Sequence, residues 1–165
     1  MSGFKMKRKG TVCRPMFQKP NDPTESRLQV KSPDISRLRR SKILIVDDDE
    51  NFLSEFQDLM KDYGCNIRLA SDGESCLKIA QIERPNLILL DIAMPKLDGF
   101  DVIRVLQTHS VLKHIPVIVV TAKAFEEDAP KDCRDHIAGF FYKPFDLEEL
   151  LGKIGTLLSK SDCNN

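Results

Sequence analysis

Four runs of apolar residues in this chain end in side chains that could bind and transfer a charged group. Ile43-Leu44-Ile45-Val46 runs into Asp47-Asp48-Asp49-Glu50, and Leu87-Ile88-Leu89-Leu90 runs into Asp91. Val117-Ile118-Val119-Val120 stops at Thr121, and Phe140-Phe141-Tyr142 runs into Lys143-Pro144. Carboxylates brought together at the edge of a sheet repel one another unless a cation joins them. Paired carboxylates and a carbonyl oxygen suit Mg²⁺, a hard cation that keeps several waters. A carboxylate can also act as the nucleophile of a phosphoryl transfer, with the metal and a lysine neutralising the transferring oxygens. A strand-end hydroxyl such as Thr121 can hydrogen-bond one of those oxygens. Asp91 is the hardest of these to explain as surface charge, because a carboxylate at a buried strand end is costly to desolvate. Asp49 and Glu50 read more simply as acids in the first turn of the next helix.

The elements that must position these groups alternate regularly. Lys42–Val46 reads as a strand, and residues 51–62 put Phe52, Leu53, Phe56, Leu59 and Met60 on one helical face. Gly64 marks the helix stop. Asn66–Ala70 is a second strand, and Asp72-Gly73 opens a helix carrying Cys76, Leu77, Ile79 and Ala80. Asn86–Leu90 is apolar on both faces, as in a parallel sheet covered on each side. Met94-Pro95-Lys96-Leu97 is a loop, and Asp98 caps a helix with Val102, Ile103 and Leu106 inward. Pro116–Val120 is a fourth strand, Glu126 to about His136 an interrupted helix with Pro130 inside it, and Gly139–Tyr142 a fifth strand. Asp146 caps a last helix bearing Leu147, Leu150, Leu151, Ile154, Leu157 and Leu158. Five β-α repeats with short loops predict an α/β fold, a doubly wound parallel sheet with right-handed crossovers. Such sheets bind ligands at the carboxyl ends of their strands, near the topological switch point. In the order 2-1-3-4-5 that point lies between strands one and three, which end at Asp47-Asp48 and Asp91.

Composition sets the outer limits. The 165 residues suit one folded domain with some excess chain. Residues 1–41 carry eleven Lys/Arg against three acids, net +8, whereas the remainder carries fourteen against twenty-two, net −8. With Pro15, Pro20, Pro23 and Pro33 and no sustained period, residues 1–40 are expected to be a disordered basic extension. A folded domain then spans 41–159, with a short tail over 160–165. No apolar run approaches the ~20 residues needed to cross a membrane, and no signal-peptide core opens the chain. The five cysteines form no C-x-x-C pair, consistent with reduced thiols in a cytoplasmic protein. No P-loop or G-x-G-x-x-G occurs, which disfavours nucleotide binding.

The strings VDDD (46–49), LLDIAMPKLDG (89–99), VTAK (120–123) and YKPF (142–145) together resemble a response-regulator receiver domain. The likeness covers about residues 41–159. It implies a flavodoxin-like five-stranded sheet in a (βα)5 arrangement and a phosphorelay role. By resemblance, Asp91 is the phosphoacceptor, Asp48 binds Mg²⁺ directly and Asp47 holds it through water. The Ala93 backbone carbonyl is the third protein ligand, Thr121 bonds the phosphoryl group, and Lys143 pairs with Asp91 or its phosphate. Phe140 falls at the family's aromatic switch position, although a half-buried packing role would explain it equally. Ala93 and Lys123 occupy positions that tune the phosphate lifetime, and the Lys143–Pro144 peptide is expected to be cis. The implied partners are a histidine kinase or histidine phosphotransfer protein upstream. Downstream, a protein is expected on the face of the fourth helix, fifth strand and fifth helix. Phe140-Phe141-Tyr142 and Phe145 could belong either to that surface or to the core. The site is expected to be a switch that is itself the substrate, not an enzyme. The last helix ends near the end of the chain, which suggests a stand-alone receiver. The basic extension could touch nucleic acid, an anionic membrane or an acidic partner. Two rivals stay open: a degenerate receiver that binds partners without phosphorylation, and a phosphatase whose nucleophile lies in Asp47-x-Asp49. His109, His114 and His136 are expected as caps or surface residues.

Overall fold

Alternate residues of each central strand face opposite layers, and that alternation divides the core in two. The computed structural model describes residues 38–122 and 130–161. The expected extension up to residue 37, Lys123 and the end of the tail lie outside them. Five strands form one parallel sheet in the order β2-β1-β3-β4-β5: β1 (Lys42–Val46), β2 (Asn66–Ala70), β3 (Leu87–Leu90), β4 (Val117–Thr121) and β5 (Ile137–Tyr142). The helices are α1 (Glu50–Asp62), α2 (Gly73–Glu83), α3 (Gly99–Thr108), α4 (Lys131–Arg134) and α5 (Leu147–Ser161), with a 3-10 turn at Leu112–His114. Ile43, Ile45, Leu87, Leu89, Ile118, Val120 and Phe141 pack against α1 and α5. Leu44, Val46, Ile88, Leu90, Val117 and Val119 pack against α2 and α3. The doubly wound reading therefore holds, strand order included.

Aspartates start four of the five helices, while α4 follows Pro130 with no side-chain cap. Asp49 accepts the Asn51 and Phe52 amides at 3.0 and 3.3 Å, and Asp72 accepts the Ser75 amide at 2.8 Å. Asp98 accepts the Asp101 amide at 2.9 Å, and Asp146 accepts those of Glu148 and Glu149. Each side chain satisfies donors that have no partner within the helix. Asp49 and Glu50 are thus helix-start residues, as their position suggested. Gly64 takes φ +72° just past α1 and donates to the Lys61 carbonyl at 2.8 Å.

The departures from the sequence reading have local causes. Asn86 precedes β3 instead of opening it, because its side chain accepts the Lys42 amide at 2.8 Å and its own amide donates to the Lys42 carbonyl. β4 starts at Val117, one residue past Pro116, which has no N–H to give a ladder. β5 begins at Ile137, two residues earlier than expected, through a register shift between Val117 and Ile118. The interrupted helix is described only over Lys131–Arg134. Leu38 is wholly buried among the residues of the α1/α5 core, so that core includes a residue upstream of the boundary expected at 41. His136 is half-buried rather than on the surface, and its Nε2 has no hydrogen-bond partner among the described residues.

Gly99 lets α3 start directly against the end of β3. A Cβ there would lie 2.6 Å from the Asp91 carbonyl oxygen and from the Ile92 Cα, both backbone atoms that cannot yield cheaply. A Cβ at Gly152 in α5 would meet nothing within 4 Å among the described residues. Gly99→Ala is therefore expected to destabilise by at least about 2 kcal/mol through overpacking. Gly152→Ala is expected to stabilise by roughly 0.5–1 kcal/mol through helix propensity. Urea midpoints of opposite shift are the check; equal shifts would show that neither backbone site is constrained as described.

Candidate functional site

The sheet order places the ends of β1 and β3 side by side, so the acids that follow them converge. Val46 pairs with Leu90, and the Asp91 amide donates to the Val46 carbonyl at 2.9 Å. The Asp47 amide in turn donates to Ala70 of β2 at 3.1 Å. One carboxylate oxygen each from Asp47, Asp48 and Asp91 lies within 4.8 Å of the others. Asp47 and Asp91 are buried, at 1% and 6% exposure, while Asp48 is exposed. Asp48 therefore faces water at the mouth of the cluster. An open depression of about 510 Å³ adjoins it, lined by Asp48, Ile92, Ala93, Met94, Pro95, Asp98 and Phe100.

Each buried carboxylate is oriented by a backbone amide two residues on. The Ala93 N–H donates to Asp91 Oδ1 at 2.8 Å, and the Asp49 N–H donates to Asp47 Oδ1 at 3.1 Å. These Asx-type turns direct the remaining oxygens toward Lys143. Lys143 Nζ donates to Asp47 Oδ2 and lies 3.4 Å from Asp91 Oδ2. The lysine was expected to pair with Asp91; its nearer partner is Asp47, with Asp91 further off. Its backbone N–H donates to the Thr121 carbonyl at 2.8 Å, which ties the β5 end to the β4 end. Thr121 is wholly buried there. The Lys143–Pro144 peptide is cis, as the resemblance implied.

Phe140 is half-buried against the α2/α3 core, paired with Val119. Phe141 is buried and Phe145 packs edge-on to Phe52, Phe56 and Phe141, so these two are core residues. Tyr142 is exposed. Sequence reasoning treated Phe52 as core alone; its ring also lies under the Lys143 ammonium, 3.9 Å from Nζ to the ring centroid. The only signal for that contact is its place one turn past the Asp47-Asp48-Asp49 run.

The donor set fits a hard divalent cation: three carboxylates of mixed exposure with a route to water. Burial pushes the Asp47 carboxyl up from its ordinary 3.8 to about 6, against the opposing pull of Lys143 and of the Asp49 amide. Asp91 adds a smaller upward push by like-charge repulsion.

A family model described as the response regulator receiver domain matches residues 43–155. The alkaline phosphatase synthesis transcriptional regulatory protein PhoP of Bacillus subtilis is 35% identical over 121 residues, covering 73% of this chain and 50% of that protein. Protein PilG of Pseudomonas aeruginosa is 34% identical over 113 residues, covering 68% of this chain and 84% of that protein. The chain spans about half the length of several curated relatives that it matches. A CheY-like receiver domain protein from Methanospirillum hungatei superposes with a TM-score of 0.68 at 26% identity, over 76% of this chain and 98% of that one. The receiver domain of the sensor histidine kinase PA1611 from Pseudomonas aeruginosa superposes with a TM-score of 0.64 at 25% identity, over 72% and 98%. That structure holds a magnesium ion in its active-site cleft.

The raised Asp47 value has a testable sign. A folded-state value above the unfolded one makes the proton bind the folded protein more tightly. The contribution is fully present below about pH 4 and is lost as pH rises through about 6. In metal-free protein, the wild type should gain up to about 3 kcal/mol relative to Asp47→Asn between pH 7 and pH 4. Urea unfolding in chelator across that range measures it, and a pH-independent difference would contradict the burial argument.

Proposed function

The chain belongs to the response-regulator receiver domain family, and from that membership we propose that Asp91 accepts a phosphoryl group from a phosphohistidine partner in a two-component phosphorelay. The observation that carries the reading is the buried Asp47–Asp91 pair bridged by Lys143 at the carboxyl ends of β1 and β3. The donor is a histidine kinase or a histidine phosphotransfer protein. An Asp91 carboxylate oxygen attacks phosphorus, an O–P bond forms and the N–P bond to the donor histidine breaks. The electron pair stays on the departing imidazole nitrogen. Asp47, Asp48, Asp91 and the Ala93 carbonyl would hold Mg²⁺, which supplies charge neutralisation at the transferring oxygens.

The chain's own residues do the remainder. The Ala93 amide holds the Asp91 carboxylate in orientation. Lys143 is already within the cluster, so little reorganisation is needed as negative charge builds on the phosphoryl oxygens. Thr121, buried at the end of β4, bonds one of those oxygens. Phe140, half-buried beside it on β5, is the aromatic that repacks when the β4 end shifts. The change then reaches the α4-β5-α5 face, where a downstream protein reads it. The full set of acids, hydroxyl and lysine favours this reading over a degenerate receiver.

A small phosphodonor such as acetyl phosphate with Mg²⁺ is expected to label the protein, with the label mapping to Asp91. Chelator and Asp91→Asn should each abolish it. Label persisting in Asp91→Asn and mapping to Asp47 would sink the assignment and favour the aspartate-nucleophile hydrolase instead.

A further inference from the structure

We propose that Phe52 is a positioning residue for Lys143: its ring face closes the cage that holds the ammonium between Asp47 and Asp91, and so sets how fast Asp91 is phosphorylated. The rate claim rests on the reading of Asp91 as phosphoacceptor.

An ammonium group has three N–H bonds to satisfy. At Lys143 one goes to Asp47 Oδ2 and a second faces Asp91 Oδ2 at 3.4 Å. The Phe52 ring centroid, 3.9 Å from Nζ, covers a further side. The Lys143 side chain is only 11% exposed, so water has little room to replace any of these three contacts. The face of an aromatic ring carries the negative part of its quadrupole and attracts a desolvated cation. It has no fixed lone pair, so the ammonium can pivot over it. A pivot is what Lys143 needs if it is to leave Asp47 and follow charge toward a phosphoryl group on Asp91.

The ring is itself held in place. Phe52 stacks on Phe56 with centroids 5.5 Å apart at 23°, and meets Phe145 edge-on at 6.4 Å and 84°. Phe145 also meets Phe56 at 6.1 Å and Phe141 at 6.4 Å. Phe56 of α1 and Phe145 of the loop after β5, the latter backed by Phe141 of β5, therefore fix the ring's orientation. Asp49 caps α1 through the Phe52 amide itself, at 3.3 Å, so the same turn that leaves the acid run places the ring. A leucine at 52 would fill much of the space and offer no quadrupole.

The test uses the full chain with Phe52→Leu and Phe52→Trp, labelled by acetyl phosphate with Mg²⁺. Phe52→Leu is expected to slow Asp91 labelling about fivefold, and Phe52→Trp to stay within about twofold of wild type. Carbon–proton NMR of the Lys143 ε-methylene gives a second readout that needs no phosphorylation. Ring current should shift it upfield in wild type and Phe52→Trp, and return it to an ordinary lysine position in Phe52→Leu. Wild-type labelling by Phe52→Leu would overturn the proposal. So would equal slowing in both variants, since that is the mark of a space-filling residue. Failure of the wild type to take label would remove the Asp91 reading and the rate claim together, whereas failure of the Phe52 claim leaves Asp91 labelling intact.

Discussion

Two buried carboxylates on neighbouring strands need a positive charge between them. Asp47 and Asp91 follow paired residues of β1 and β3, and the ladder that pairs those strands forces the acids together. Like charges at that separation, shielded from water, would drive one of them to hold a proton. Burial is the larger pressure toward the protonated form, and Lys143 offsets it only in part, which is why the Asp47 carboxyl still stands at about 6. The lysine comes from the end of β5, while β1 lies three positions away in the sheet. Its backbone bond to Thr121 and its side-chain bonds to the acids therefore draw the ends of β1, β3, β4 and β5 into one unit.

The rest of the fold can be understood as what permits that meeting. The carboxyl ends of the strands must stay clear, so the helices are laid on the two faces and their amino-terminal caps supply the turns. Gly99 allows α3 to begin in contact with the backbone that carries Asp91, which leaves only a short loop from Ile92 to Asp98 around the site. On the other face, Phe52, held edge-on by Phe145, covers the Lys143 ammonium, so that one ring serves both the core and the ammonium.

Much of this was legible in the chain because local chemistry and global fold agree. Runs such as Leu87–Leu90 are apolar on both faces and stop at charge, which only a covered parallel strand explains well. The capping aspartates at 49, 72, 98 and 146 announce helices by their type and position. What was not legible is relational. Periodicity put Phe52 on the buried face of α1 correctly, but nothing in it says that the ring's outer face meets a lysine ninety-one residues away in sequence. The preference of Lys143 for Asp47 over Asp91 depends on how side chains from the ends of β1, β3 and β5 meet across the sheet. Leu38 carried no signal either, since a lone leucine among arginines gives no period from which burial could be inferred.

The burial of Leu38 gives the domain a polarity. The chain enters at the amino end of β1, and the acids stand at its carboxyl end, five residues further along, roughly 16 Å away at about 3.3 Å per residue. Chemistry and chain entry thus occupy opposite poles of the sheet. β1 is the direct covalent link between the buried Leu38 and the acids. Held by β2 on one side and β3 on the other, that strand joins the apolar end of the domain to its charged end.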